Sequence, residues 1–87
     1  MSAIVRDFGA NVRRLRESHG WSQERLAEHA GLNRTYVGEI ERATVIASIV
    51  TVEKLARAFG VSLDDLLGAA IAVPAGALAY RPAPAHS

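Results

Sequence analysis

Three side chains between positions 34 and 39 have the chemistry to recognise the edges of nucleic-acid bases. Arg34 can donate two hydrogen bonds to guanine, Thr35 can touch a thymine methyl group or a phosphate, and Glu39 can accept a hydrogen bond from cytosine. The competing interpretation is that they are ordinary solvated residues on the exposed face of a helix, where charges are common. The sequence around these residues is the evidence that distinguishes the two interpretations.

That segment, Gln23–Arg42, is predicted to form two short helices joined by a tight turn. Its apolar residues have helical spacing, and Gly31 lies where a helix would end with a residue at positive φ. Ala27 is small and lies on the face that must meet the second helix. This pattern indicates a helix-turn-helix, whose second helix enters the DNA major groove. The apolar positions are Leu26, Ala27, Ala30, Leu32, Val37 and Ile40.

The rest of the chain up to residue 68 predicts three further helices around this pair. Apolar residues at helical spacing predict a first helix over Ala3–Ser18, and Trp21 after it is expected to anchor the core. Capping residues mark the starts of the other helices, and glycines mark the ends of several of them. The sequence therefore predicts a compact all-α domain of five helices over residues 1–68. The predicted N-caps are Ser22, Asn33, Ser48 and Ser62, and the predicted buried face of the fifth helix is Leu63, Leu66 and Leu67.

Composition excludes several classes of protein. Eighty-seven residues without cysteine predict one small domain with no disulfide and no thiolate metal site. The three histidines lack partners at metal-ligand spacing, and we find no nucleophile motif or phosphate loop, so neither an enzyme nor a metal or cofactor site is expected. No signal peptide or membrane span is expected, which predicts a cytoplasmic protein. The net charge of +1 is low for a DNA-binding domain, so DNA contact must depend on local placement of charge.

Residues 69–87 differ from the domain before them, because they are rich in alanine, hold all three prolines and include one charged residue, Arg81. Proline and glycine break helices, and chain ends are usually loose, so one interpretation is a flexible tail. The alternative is an apolar arm that packs on a second subunit. That alternative depends on the apolar residues Ile71, Val73, Leu78 and Tyr80.

Three sequence blocks between Phe8 and Leu67 show a resemblance to a known family. They are VRRLRESHGWSQERLAEHAGL, NRTYVGEIERA and LARAFGVSLDDLL. In these blocks the chain resembles the Xre/Cro-type, phage-repressor-like family of helix-turn-helix DNA-binding proteins, which implies a five-helix fold of the lambda-repressor type. The block NRTYVGEIER is also similar to the small controller proteins of restriction–modification systems.

The resemblance implies a role for individual residues. Gln23 matches a position that contacts DNA phosphate, with packing or simple solvation as an equal alternative. Tyr36 can reach phosphate, with packing against the scaffold or simple solvation as an equal alternative. Arg16 and Glu41 match an ion pair that ties the first helix to the third. The residues expected to bind DNA are Gln23, Asn33, Arg34, Thr35, Tyr36, Glu39 and Arg42.

The function that follows is a sequence-specific transcriptional regulator of double-stranded DNA, a repressor acting as a homodimer on a near-palindromic operator. The alternative is an antitoxin-like module that binds a protein partner and has weak DNA binding. The segment ATVIAS, residues 43–48, has no charged residue. Family members often have basic residues here that lie along the phosphate backbone, so their absence favours the alternative. Gly38 is also unexpected inside a helix, where glycine costs about 1 kcal/mol relative to alanine.

Overall fold

The computed structural model describes residues 3–68, which contain five helices joined by turns and loops. They are α1 (Ala3–Ser18), α2 (Gln23–Ala30), α3 (Arg34–Glu41), α4 (Ile49–Phe59) and α5 (Leu63–Leu67). The predicted all-α fold and the predicted bounds of α1 are therefore confirmed. The arm predicted over residues 69–87 lies outside the described residues. Within the described part, no helix is long and apolar enough to cross a membrane.

The helices start where the sequence supplies a side chain that can accept a hydrogen bond from the first turn. The Ser22 hydroxyl accepts from the backbone N–H of Arg25 at 3.0 Å, and the Ser62 hydroxyl accepts from Asp65 at 3.0 Å. Such caps satisfy backbone donors that have no partner inside the helix. All four predicted N-caps act in this way; they are Ser22, Asn33, Ser48 and Ser62.

The core lies where α1 and α4 meet the other three helices. α2 packs on α3 and α4, while α5 packs on α1 and α4, so each short helix has one apolar face covered. Because an isolated helix of this length is only marginally stable in water, this burial is what holds α2, α3 and α5 in place. The side chains that are completely or almost completely buried are Val12, Leu26, Val37, Ile40, Leu55 and Leu66.

The prediction for the fifth helix is wrong at Leu63, which is 48% exposed. Leu66 is fully buried and Leu67 packs against the core, as expected. A helix of five residues makes only about one and a half turns. Its first residue therefore lies at the edge of the surface that α1 and α4 cover.

Gly9 permits the close approach of α1 to α3, a role that we did not assign from the sequence. A Cβ atom at this position would lie 2.3 Å from the carbonyl oxygen of Ile40 and 3.0 Å from that of Glu41. The first distance is too short for a carbon atom beside a backbone oxygen, and the second is a tight contact. Only glycine allows the middle of α1 to contact the C-terminal end of α3 at this separation.

Candidate nucleic-acid interface

The turn between α2 and α3 holds the two helices in a fixed relation. α2 ends at Gly31, whose backbone is left-handed with φ of 67°, and the N–H of Leu32 donates to the carbonyl of Ala27 at 2.9 Å. The Asn33 side-chain oxygen accepts from the N–H of Thr35 at 2.7 Å and caps α3. The side-chain oxygen of Asn33 is therefore used to cap α3, and only its amide nitrogen is left to contact another molecule.

One face of α3 and the start of α2 form a shallow polar depression of about 190 Å³. Arg34 and Thr35 are exposed on the first turn of α3, and Gly38 and Arg42 follow at intervals of one turn on the same side of the helix. Gln23 lines the depression from α2. The structure therefore brings together four of the predicted DNA-binding residues, two of them cationic. Glu39 is half-buried and does not line the depression.

Gln23 is oriented by a buried carboxylate. Its Nε2 donates a hydrogen bond of 3.1 Å to Oε1 of Glu41. An amide nitrogen has two N–H groups, so one remains free to donate to an anion in the depression. The sequence left packing and phosphate contact as alternatives for Gln23. The geometry is compatible with both, because one N–H donates to Glu41 and the other can donate to an anion.

Arg16 and Glu41 form a two-pronged ion pair between α1 and α3. Arg16 Nε lies 2.7 Å from one carboxylate oxygen of Glu41 and Nη2 lies 3.1 Å from the other, while Nη1 donates to the carbonyl of Trp21 at 2.8 Å. The two side chains are 13% and 4% exposed. The hydrogen bonds with Glu41 raise the pKa of the Arg16 guanidinium above its ordinary value, although burial opposes this rise. The guanidinium therefore stays charged, and the ion pair fixes the end of α3.

Gly38 leaves room for the side chain of Arg42. A Cβ atom at position 38 would lie 3.0 Å from Nη1 of Arg42 and 3.5 Å from Oε1 of Gln23. The guanidinium of Arg42 thus reaches back along α3 to Gly38, on the side where Gln23 lines the depression. The unexpected glycine has a local explanation, since a larger residue would push this cation away from Gln23.

Tyr36 faces α4 and not the depression. Its hydroxyl lies 3.3 Å from Oγ1 of Thr51, which also accepts from the Ser48 hydroxyl at 3.0 Å. The ring packs against the core and is half-buried. Of the two alternatives for Tyr36, packing against the scaffold is the one that these contacts support.

The loop after α3 presents apolar side chains. Ala43 has a left-handed backbone with φ of 61°, which costs about 1–2 kcal/mol for a residue other than glycine. Its methyl group is buried, and Val45 and Ala47 pack against the core. Ile46 is 81% exposed. The loop therefore offers an aliphatic side chain to solvent and no cation.

A stack of rings runs beside α2, from Trp21 just before the helix to His29 in its last turn, and the sequence analysis missed it. The indole of Trp21 is stacked between the imidazoles of His19 and His29, with ring centroids 4.4 Å and 4.2 Å away. Trp21 is only half-buried, so its predicted role as a core anchor is correct in part: it packs against the core and carries both histidines on its faces. Across residues 3–68, no group of three or more potential ligands could hold a metal ion.

Comparisons with known proteins agree on one family. A family profile described as helix-turn-helix matches residues 12–66. A hypothetical transcription factor of Neisseria meningitidis is 46% identical over 57 residues, which are 66% of this chain and 54% of that protein. Control protein C.BamHI of Bacillus amyloliquefaciens is 46% identical over 61 residues, which are 69% of this chain and 75% of that protein.

A solved structure gives the same result for the fold. The restriction-modification controller protein C.AhdI from Aeromonas hydrophila superimposes with a TM-score of 0.68 at 43% identity. The match covers 72% of this chain and 94% of that one. The capped α2–α3 pair, the agreement in sequence and the agreement in fold lead to one conclusion. The chain belongs to the Xre-like helix-turn-helix family, whose members compared above are transcription factors and controller proteins.

Proposed function

We propose that this chain is a transcriptional repressor that binds double-stranded DNA sequence-specifically, with α3 in the major groove. The observation that carries the proposal is the polar depression on α3, where Arg34, Thr35 and Arg42 lie beside Gln23 on a rigid pair of helices. Because the helices that carry these donors are already folded and packed, little backbone entropy is lost on binding, which favours specific contact over loose attraction.

The residues of α3 divide into base readers and phosphate contacts. Arg34 and Thr35 are on the first turn, where a helix in the major groove meets base edges, and Glu39 lies one turn further along. Gln23 and Arg42 are placed to hold one backbone phosphate between the free amide N–H and the guanidinium. Asn33 and Tyr36 act mainly by fixing α3, through the Asn33 cap and the contact of Tyr36 with Thr51.

The regulator acts as a homodimer on a near-palindromic operator. Support comes from apolar side chains that a monomer leaves in water: Ile49 is 84% and Val50 is 57% exposed on the first turn of α4. Exposed apolar groups of this kind are typical of protein contacts. A two-fold dimer would place two copies of α3 in successive major grooves, about 34 Å apart. The protein would act without catalysis and in the cytoplasm, where its DNA lies.

The proposal is tested by measuring affinity for duplex DNA at about 50 mM and about 200 mM salt, after selecting bound sequences from a random duplex library. We expect Arg34→Ala to weaken binding by about tenfold to a hundredfold and to relax preference at one base pair of each half-site. The matched control is Arg57→Ala, which removes the same charge from α4, where Arg57 pairs with Glu53 at 3.7 Å.

A second function, an antitoxin-like module with a protein partner and weak DNA binding, is favoured by one observation, the 81% exposure of Ile46 in an uncharged loop. The same experiment separates the two functions. Salt-insensitive binding, unaffected by Arg34→Ala, would overturn the repressor and leave the protein-binding module. A selected site with two inverted halves would support the dimeric repressor.

A further inference from the structure

An apolar groove lies between α1, α4, α5 and the loop before α4, separate from the polar depression on α3. Its volume is about 130 Å³ and its lining side chains are all hydrocarbon. A cavity of about 150 Å³ lined by such residues can hold one benzene molecule, so the groove has room for one branched aliphatic side chain. The lining residues are Ile4, Val5, Phe8, Ile46, Ala47, Val52 and Leu67.

The chain leaves α5 next to this groove. Leu67, the last residue of α5, is itself part of the lining. The side-chain amide of Asn11 on α1 donates to the backbone carbonyl of Leu66, and this contact holds the end of α5 against α1. A Cβ atom at Gly68 would lie 3.1 Å from Nδ2 of Asn11, so the backbone passes directly over α1 as it leaves the helix.

The spacing along α1 connects this exit to the groove. Phe8 lies three residues before Asn11 and Ile4 lies four residues before Phe8, so the three share one side of the helix at intervals of about 5–6 Å. The exit beside Asn11 is therefore one helical turn from Phe8 in the groove. A segment that runs from Gly68 along α1 towards the N-terminal end of that helix therefore reaches the groove within one to two helical turns.

The sequence after Gly68 has the chemistry that such a groove would take. AAIAVPAGALAY, residues 69–80, has no charged side chain, and its first large apolar residue is Ile71. Three residues of extended chain span at most about 11 Å, which matches a site one to two helical turns away. A branched aliphatic side chain also matches the volume of the groove.

We propose that residues 69–80 occupy this groove in the same chain, with Ile71 as the anchoring side chain. A tethered segment acts at an effective concentration in the millimolar range, so it fills the groove before a second copy can do so at ordinary protein concentrations. The groove is thus an intramolecular docking site for the C-terminal segment, and the surface left for a second copy is the exposed first turn of α4. The proposal does not depend on DNA binding.

The absence of cysteine from the chain makes a crosslinking test clean. In the full-length protein, one pair of cysteines is introduced by Ile46→Cys and Ala75→Cys, and a control pair by Glu24→Cys and Ala75→Cys. Ile46 is on the rim of the groove, whereas Glu24 is exposed at the start of α2. Both pairs are treated with a short bismaleimide at low protein concentration, and the products are separated by mass.

We expect the intramolecular product of the groove pair to form about tenfold faster than that of the control pair, because docking raises the local concentration of the segment. Adding Ile71→Asp is expected to remove this preference, and adding Ile71→Val to keep it. Equal rates for the two pairs would overturn the proposal. A crosslinked dimer as the main product of the groove pair would also overturn it, since a second copy would then fill the groove.

Discussion

The turn that leads into α3 and the loop that leaves it hold their backbones in different ways. Before α3, glycine supplies the left-handed residue, Gly31, and the Asn33 cap satisfies the first turn of the helix. After α3, an alanine takes the left-handed position, and the Thr44 N–H and hydroxyl both donate to the carbonyl of Glu39, at 3.0 Å and 3.2 Å. The first connection is unstrained, and the second relies on its surroundings to stay in place.

The two connections also differ in the polarity of the side chains that they present to solvent. The start of α3, after the unstrained turn, presents Arg34 and Thr35 beside Gln23, which the buried Glu41 orients. The loop on the other side carries an aliphatic residue, Ile46, in open solvent. On the proposed function, recognition is concentrated on the depression of α3, and the loop contributes shape and an apolar contact. Breaking the support of α3 should have large effects, and changing the loop should have small ones.

The largest effect is expected from Arg16→Met, which removes the cation beside the buried Glu41. A buried carboxylate left without its cation lowers the free energy of unfolding by about 3–5 kcal/mol. Urea unfolding followed by circular dichroism measures the change as a lower midpoint with an unchanged slope.

A double variant separates the lost charge partner from lost packing. Arg16→Met combined with Glu41→Leu replaces the pair with apolar side chains of similar size, and most of the stability should return, to within about 1–2 kcal/mol of the parent. A double variant as unstable as the single one would show that the buried charge is not the cause. Its DNA affinity should stay reduced, since Gln23 loses the carboxylate that orients it.

The next effect concerns the close contact of α1 with the end of α3. Gly9→Ala would place a methyl carbon 2.3 Å from the carbonyl of Ile40, so the helices must separate, at a cost of about 3 kcal/mol. The control is Gly20→Ala, where φ is +71° and nothing lies within 4 Å of the added carbon, and about 1–2 kcal/mol is expected. Equal losses in the two midpoints of urea unfolding would contradict the close contact.

The smallest effect tests the loop. Ile46→Lys should change the free energy of unfolding little, because the side chain is 81% exposed and lies only on the rim of the apolar groove. If the loop passes near the phosphate backbone, the new cation should steepen the dependence of log affinity on log salt by about one unit. Ala10→Lys adds the same charge to the exposed side of α1 and should leave that slope as it was. Identical slopes for both variants would mean that the loop does not approach DNA.

Much of the framework was predictable because capping and helical spacing are local. Ser22, Asn33, Ser48 and Ser62 each cap the helix that follows them, and each can be read from a few neighbouring residues. The error at Leu63 arose from spacing alone, since periodicity indicates which residues share a face but not where the covering helices stop. The role of Gly9 was missed because nothing in its neighbourhood of α1 reveals a carbonyl 31 residues away in the sequence.

The candidate site shows the same division between local and long-range information. The types of side chain on α3, their order and their helical spacing follow from the sequence, and so does the lack of charge in residues 43–48. The tertiary structure alone decided that Tyr36 faces Thr51, that Gln23 shares the Glu41 carboxylate with Arg16, and that Arg42 lies over Gly38. The physical reason is that caps and periodicity act within one or two turns. Side-chain partners across helices depend instead on how closely α1, α2 and α4 pack around α3.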